Sequence, residues 1–418
     1  MKTNKTFAMF MACAAFAACE QATTTEPQPI DAEVVAGDVL TSEGVTVKDG
    51  PIYVFDAEGG SFDLAVSVTA SEGYEDHMTS TVTSSAPWCK AVLADGVLSV
   101  EADITGLAAT RTASVTVEVS VCDPAGKVAP LTLNIGQEES DNVMDMAYVK
   151  AGTFSFGDGL CCTNASTYLF DVKITKDYFM SATEVTQALY EEVMGADLKP
   201  DYKDKYVGPK YPVHSIRWID ACEFCNKLSE REGLQKVYTT EQLTYKPDSW
   251  SPEQTMTNYV MDPAANGYRL PTSVEWEYAA KGGSEGVKSL FIYPGSNDYN
   301  EVAWVKENAA LTEGGDAVLH EVAGKQPNQL GIYDMAGNIE EWCYDWSAPY
   351  YGYTWPTELV EDFAGTPAAE SNYNKIKRGG CYSSTASPYG KLYYTRYASA
   401  TEPDYYQSCG FRVVRNVK

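Results

Sequence analysis

Cys222 and Cys225 stand in the spacing CxxC, and Cys161 and Cys162 are adjacent, so thiol chemistry is the first kind to weigh against this sequence. A redox-active CxxC needs the N-terminus of a helix, where the dipole favours the thiolate. Here the pair falls inside the run "WIDACEFCNKLSER", Trp218 to Arg231, at i and i+3 of an expected helix. Cys343, Cys381 and Cys409 are further candidates in the second half of the chain. The only histidines are His77, His214 and His320. His214 immediately precedes the expected helix and reads as a satisfied structural side chain, so a hydrolytic triad finds little support. A different chemistry is written near the end of the chain. From Arg378 to Arg412 runs "RGGCYSSTASPYGKLYYTRYASATEPDYYQSCGFR". Tyr382, Tyr389, Tyr393, Tyr394, Tyr397, Tyr405 and Tyr406 crowd this stretch, with Ser383, Ser384, Ser387 and Asp404 among them. Tyrosine offers large contact area at small entropic cost and serine adapts its hydrogen bonds, which is the composition of a binding surface. For part of these tyrosines, aromatic packing is the competing reading.

The elements that must position these residues fall into segments. Residues 1–19 read as a targeting signal: Lys2 and Lys5 precede the apolar run Phe7–Phe16, which is too short to span a bilayer. Ala17 and Ala18 lead to Cys19, which resembles the lipidated cysteine of a bacterial lipoprotein; an ordinary cleaved signal is the alternative. Residues 20–44, polar and proline-containing, read as a flexible tether. Over 45–137, "SFDLAVSVTA", "GVLSVEADI", "ASVTVEVSV" and "LTLNIGQ" alternate apolar and polar residues, the pattern of a small all-β sandwich. Trp88 is its one candidate for an exposed aromatic, with core packing as the alternative. Residues 138–142, "EESDN", form an acidic linker. From 143 to 418 short strands mix with helices near Val185–Met194 and Trp218–Arg231. A third helix opens at Thr272, with Glu275 closing a capping box and Gly282 ending it.

A net charge of −27 argues against nucleic acid, whose phosphates require clustered Lys and Arg, and against docking on anionic lipid through a basic patch. Any membrane association would come through the lipid on Cys19. Outside the cytosol, the nine cysteines beyond Cys13 and Cys19 are candidates for disulfides.

Seven segments then occur in one order: "MAYVKAGTFSFGDG", "FMSATEVTQALYEEVMG", "YPVHSIRWIDACEFCNKL", "NGYRLPTSVEWEYAAKGG", "QPNQLGIYDMAGNIEEWCYDW", "KIKRGG" and "CGFRVVR". Together, from Met144 to Arg415, they resemble the formylglycine-generating enzyme, or sulfatase-modifying factor, family. The resemblance implies an α+β domain of C-type-lectin-like fold with little regular structure. The β segment before it resembles the BACON domain, an immunoglobulin-like module of exported Bacteroidetes proteins, here read as a spacer. The expected architecture is therefore multidomain, an N-terminal all-β immunoglobulin-like sandwich followed by the α+β domain.

Enzymes of this family oxidise a sulfatase cysteine with copper held by two thiolates, which suit Cu(I). Counted from Arg378, those two positions fall on Ser384 and Tyr389, so copper and oxidase chemistry are not expected. An iron site built from a His triad, as in a related branch, fails on counting, because His77 belongs to the β segment. The resemblance does imply a structural Ca²⁺ in "GIYDMAGNIEEW", with side-chain oxygens of Asp334 and Glu341 and carbonyls of Gly337 and Ile339 as ligands. It also implies a bridge between Cys225 and Cys409. The expected function is a non-catalytic binder of a protein or glycan on an outer-membrane lipoprotein, periplasmic or surface-exposed. An active formylglycine-generating oxidase and a structural lipoprotein of a gliding or secretion assembly are the alternatives. The Tyr/Ser run also resembles the variable segment of diversity-generating retroelement targets.

Overall fold

The structure, a computed structural model, describes residues 33–43, 45–48, 52–56, 59–69, 78–103, 111–121, 129–137, 144–157, 169–195, 206–245, 252–287, 291–311, 315–348, 354–367, 374–386, 395–399 and 409–417. For 395–399 the description is of the main chain. The chain divides into two compact units, Met1–Val143 and Met144–Lys418.

The first unit holds β1 (Glu33–Glu43), β2 (Val45–Lys48), β3 (Ile52–Phe55), β4 (Gly60–Thr69), β5 (Met78–Ser84), β6 (Cys89–Ala94), β7 (Val97–Ala102), β8 (Arg111–Val121) and β9 (Leu131–Gln137). They form a four-stranded sheet, β1-β4-β7-β6, and a five-stranded sheet, β2-β3-β9-β8-β5. Alternate residues of both sheets enter one core: Phe62, Leu64, Leu98 and Val100 from the first, Phe55, Val115, Val117, Leu133 and Ile135 from the second. The period-2 runs read from the sequence thus supply both faces of this core. One expectation is corrected. Residues 33–43 of the expected tether are strand β1, paired antiparallel with β4 from Glu33↔Thr69 to Glu43↔Ser61. Val34, Ala36 and Val39 pack on the core from β1, which is why it pairs rather than trails. Trp88 is half-buried, with the Arg111 guanidinium 4.3 Å from its ring centroid. Arg111 Nε in turn donates to Gln137 Oε1 at 2.7 Å, so the head of β8 is tied to the end of β9 around that indole.

The second unit begins with β10 (Met146–Val149), β11 (Gly152–Phe156), β12 (Phe170–Ile174), β13 (Tyr178–Ser181), α1 (Gln187–Met194), α2 (Trp218–Arg231), β14 (Tyr238–Tyr245), β15 (Gln254–Met261) and β16 (Tyr268–Arg269). It continues with α3 (Ser273–Ala280), α4 (Gly283–Gly286), α5 (Tyr299–Val302), β17 (Glu340–Trp346), β18 (Val360–Glu361), β19 (Asn374–Arg378), β20 (Thr395–Ser399), β21 (Cys409–Gly410) and β22 (Val414–Asn416). The strands form small sheets, β10-β13-β22-β16, β11-β12-β18, β14-β15 and β20-β19-β17-β21. Helix α3 starts as expected. Thr272 accepts from the Glu275 amide at 3.2 Å, and Glu275 Oε2 accepts from the Thr272 amide at 2.8 Å. Trp276, Tyr278, Ala279 and Ala280 all enter the core with Phe154, Val172, Tyr178 and Met335. This helix is buried around its circumference, so it fixes the position of whatever hydrogen-bonds to it.

Candidate functional site

The Tyr/Ser stretch is held by its ends. β19 lies between β20 and β17, with Arg378↔Thr395 and Glu341↔Arg378 in register. β21 pairs parallel with β17 at Glu340↔Cys409 and Glu341↔Gly410. The two arginines of the motifs RGG and GFR anchor this frame. Arg378, 2% exposed, pairs with Glu277 of α3 and lies 5.3 Å over the Trp276 ring. Arg412, fully buried, forms a fork on Glu341, Nε to Oε2 at 2.7 Å and Nη2 to Oε1 at 2.7 Å. Its remaining donors reach the carbonyls of Ser181 and Tyr333. A buried bidentate pair of this kind costs about 3–5 kcal/mol when one partner is removed.

Directly after Arg378, Gly379 and Gly380 adopt φ of 89° and 72°, turning the chain off the sheet. Ser384 Oγ accepts the Cys381 amide at 3.0 Å, the Ser384 amide donates to the Cys381 carbonyl at 2.8 Å, and the Ser384 carbonyl accepts from the Lys306 amide at 2.9 Å. Ser384 is therefore half-buried and committed to the turn. Cys381 is buried, its Sγ 3.2 Å from Ser383 Oγ and 3.6 Å from Ser384 Oγ. Tyr382 is half-buried and faces Tyr206, ring centroids 5.7 Å apart. Its amide donates to the Asn338 carbonyl at 2.8 Å. Ala386 is tied by its amide to Glu307 Oε2 and by its carbonyl to the Tyr293 hydroxyl. Tyr206, Tyr293 and Glu307 thus join this face from upstream segments, and nothing in their local sequence announces it. Tyr389, Tyr393, Tyr394, Tyr405 and Tyr406 lie outside the described residues, as do the Tyr397 side chain and Cys19.

The turn at 331–341 is built from left-handed residues: Gly331, Asp334, Gly337 and Asn338 have φ of 78°, 57°, 80° and 51°. A Cβ on Gly337 would lie 1.9 Å from the Trp304 carbonyl oxygen, so only glycine fits there. Asp334 is 2% exposed, and its Oδ2 accepts from the Ala323 amide at 2.7 Å. Asn338 Oδ1 accepts from the His320 amide, and its Nδ2 donates to Glu184 Oε1 at 3.2 Å. Asp334 Oδ1 and Glu184 Oε2 are buried with no donor. Burial, reinforced by the Asp334 and Glu341 charges, holds the Glu184 carboxyl well above its usual range; burial likewise raises Asp334 to about 6. The donor set fits a hard cation in one respect and not in another. Asp334 offers a buried oxygen without a proton donor. Glu341 does not, because Arg412 and the Trp276 indole, whose Nε1 donates to Oε2 at 2.6 Å, take both of its oxygens. Among the described residues no three His, Cys, Asp or Glu side chains gather as a metal site.

Residues 133–417 match the family described as the Sulfatase-modifying factor enzyme 1-like domain. This chain belongs to that family. The sulfatase-modifying-factor domain is 32% identical over 285 residues to the chaperone protein LppX of Paenibacillus barcinonensis, a match covering 65% of this chain and 89% of that protein. It is 36% identical over 121 residues to the formylglycine-generating enzyme of Streptomyces coelicolor, covering 28% of this chain and 36% of the enzyme. Among solved structures, Treponema denticola variable protein 1 superposes with a TM-score of 0.50 at 26% identity, covering 69% of this chain and 96% of that one.

Elsewhere in the sulfatase-modifying-factor domain the described cysteines are buried. Cys222 and Cys225 are fully buried free thiols on α2, and burial pushes both thiols up. Cys409 is buried as well, and with Cys225 a free thiol the expected Cys225–Cys409 bridge is corrected. Cys409 belongs to β21 beside Glu340, whereas Cys225 shares the interior with Arg269 of β16. Cys161 and Cys162 lie outside the described residues. His214 is fully buried with Nδ1 3.0 Å from Ser215 Oγ, in keeping with a structural side chain. A half-open cavity of about 300 Å³ between α1 and α2 is lined by Tyr190, Ile216, Asp220, Glu223 and Lys227, with Arg217 paired to Asp220 at its rim. Lys375 of β19, fully buried, sits 3.6 Å from the Trp346 ring centroid and 3.9 Å from that of Trp218, and donates to the Tyr344 carbonyl at 2.9 Å.

Proposed function

We propose that this protein is a lipid-anchored component of the cell envelope whose sulfatase-modifying-factor domain binds a protein or glycan and does not oxidise cysteine. The observation that carries the reading is Ser384. Counted along the RGG-to-GFR frame it stands where a copper thiolate is expected, and its hydroxyl is spent on the Cys381 amide. A serine so placed offers Cu(I) no soft donor. The second such position, Tyr389, likewise has no sulfur. What the segment presents instead is tyrosine and serine on a frame fixed by two buried arginine pairs. The names of two relatives agree with a binding role, one a chaperone and the other a variable protein. The Tyr/Ser stretch suits a diversified segment on the same grounds.

In this reading the first unit is an immunoglobulin-like spacer, Cys19 carries the lipid at the outer membrane, and a single structural Ca²⁺ pins the 331–341 turn. Among the described residues no helix is long and apolar enough to cross a membrane. The match to a formylglycine-generating enzyme favours a second reading, retained oxidase activity. The two separate in one assay. The purified chain, loaded with Cu(I), is incubated in air with a cysteine-containing sulfatase peptide and the peptide mass is followed. The expected mass is unchanged; conversion of cysteine to formylglycine would end the binding proposal. A glycan and envelope-protein screen with the Tyr393→Ala, Tyr394→Ala double variant then tests the assigned face.

A further inference from the structure

We infer that the cation at the 331–341 turn is held by the carboxylates of Glu184 and Asp334, with Glu341 reserved for Arg412. The inference rests on the calcium reading above and changes which residues bind the ion. Glu341 meets three donors, Arg412 Nε, Arg412 Nη2 and Trp276 Nε1, at 2.6–2.7 Å. An ion on Glu341 would have to displace a guanidinium that is itself fully buried and has no water to turn to.

Glu184 and Asp334 are in the opposite condition. Each has one oxygen fixed by a donor: Glu184 Oε1 by Asn338 Nδ2 at 3.2 Å, Asp334 Oδ2 by the Ala323 amide at 2.7 Å. The other two oxygens, Glu184 Oε2 and Asp334 Oδ1, are buried and reached by no N–H donor. The two carboxyl groups lie within hydrogen-bonding reach of one another, at 1% and 2% exposure. Two buried carboxyl groups facing one another cannot both stay ionised without a counter-charge: with Arg412 beside them committed to Glu341, they share a proton when empty, and a cation can take its place. Ca²⁺ suits it, since it takes carboxylate and carbonyl oxygens in flexible geometry. Glu184 comes from the strap between β13 and α1, and that strap already meets the turn through the Tyr333 amide on the Ala182 carbonyl. An ion shared by Glu184 and Asp334 would lock the strap to the turn that carries Asn338, whose carbonyl holds the Tyr382 amide.

The test uses the full chain, stripped with chelator and titrated with CaCl₂ by calorimetry, with Tm recorded in parallel. Wild type is expected to bind Ca²⁺ and to melt higher with it. Glu184→Gln removes a buried carboxyl that can stay in place only by being neutralised, so it is expected to raise the Ca²⁺-free Tm. It should also weaken Ca²⁺ binding by more than about 100-fold, the upper end of what a merely supporting partner costs a metal site. A residue that only packs would not move these two readouts in opposite senses. Should Glu184→Gln not fold, Glu184→Asp, which keeps the charge and withdraws the oxygen by one methylene, is expected to weaken binding in its place. Wild-type affinity in the folded Glu184 variant overturns the inference while leaving the calcium reading intact. No Ca²⁺ binding by wild type removes both.

Discussion

Lys375 carries a charge that its buried setting disfavours. Burial, only partly offset by Cys222 and Asp345, pulls it down from the usual lysine range to about 7. In the unfolded chain the amine binds its proton up to about pH 10.4, so between the two values the unfolded state holds more protons. Stability should therefore rise as pH increases from about 7 toward 10, the reverse of a surface lysine that gains a partner. Lys375→Met replaces the charge with an apolar chain of similar length. It is expected to raise stability at pH 7 by about 1–4 kcal/mol and to flatten that rise. Chemical denaturation at pH 7 and pH 9.5 decides it; an unchanged slope with pH would show that the aromatic box does not suppress the charge. Gly337→Ala addresses a different constraint. A side chain at φ 80° facing the Trp304 carbonyl should cost about 3 kcal/mol or more, read as a lowered denaturation midpoint at unchanged m-value.

Helix α3 makes its start by the Thr272–Glu275 box, and Thr272→Ala should lower stability by about 1 kcal/mol, measured by denaturant titration. A shift near zero would mean the buried surround, not the box, sets the N-terminus. This element was fully legible before folding: cap, box, apolar residues and the glycine at φ 84° are all local signals. Strand β1 was not. Its register slips between Ala36 and Val39 and again between Val39 and Thr41, so the period-2 pattern that identifies a strand is broken twice. Nor does the sequence "NKIKR" announce that Lys375 and Lys377 are both buried, one among Trp218 and Trp346, the other against Glu340. The candidate turn was legible as a glycine-rich acidic motif, but Glu184, far away in sequence, was not. Only folding brings a carboxylate from the strap before α1 against Asp334.

The two units bury separate clusters, one around Phe62 and Leu98, the other around Trp276 and Tyr278. Each is large enough to melt as its own cooperative block, so calorimetry of the whole chain should show two transitions. Lys375→Met should raise one and leave the other in place; a single transition shifting as a whole would sink this. At this scale the arginines at either end of the Tyr/Ser stretch acquire a wider meaning. Arg378 is clasped by Glu277 and Arg412 by Glu341, both carboxylates supplied by the interior rather than by the intervening residues. The two ends of the stretch are therefore fixed by side chains that lie outside it. If the stretch is diversified, as proposed, these anchors are made by residues that a substitution within it would not change.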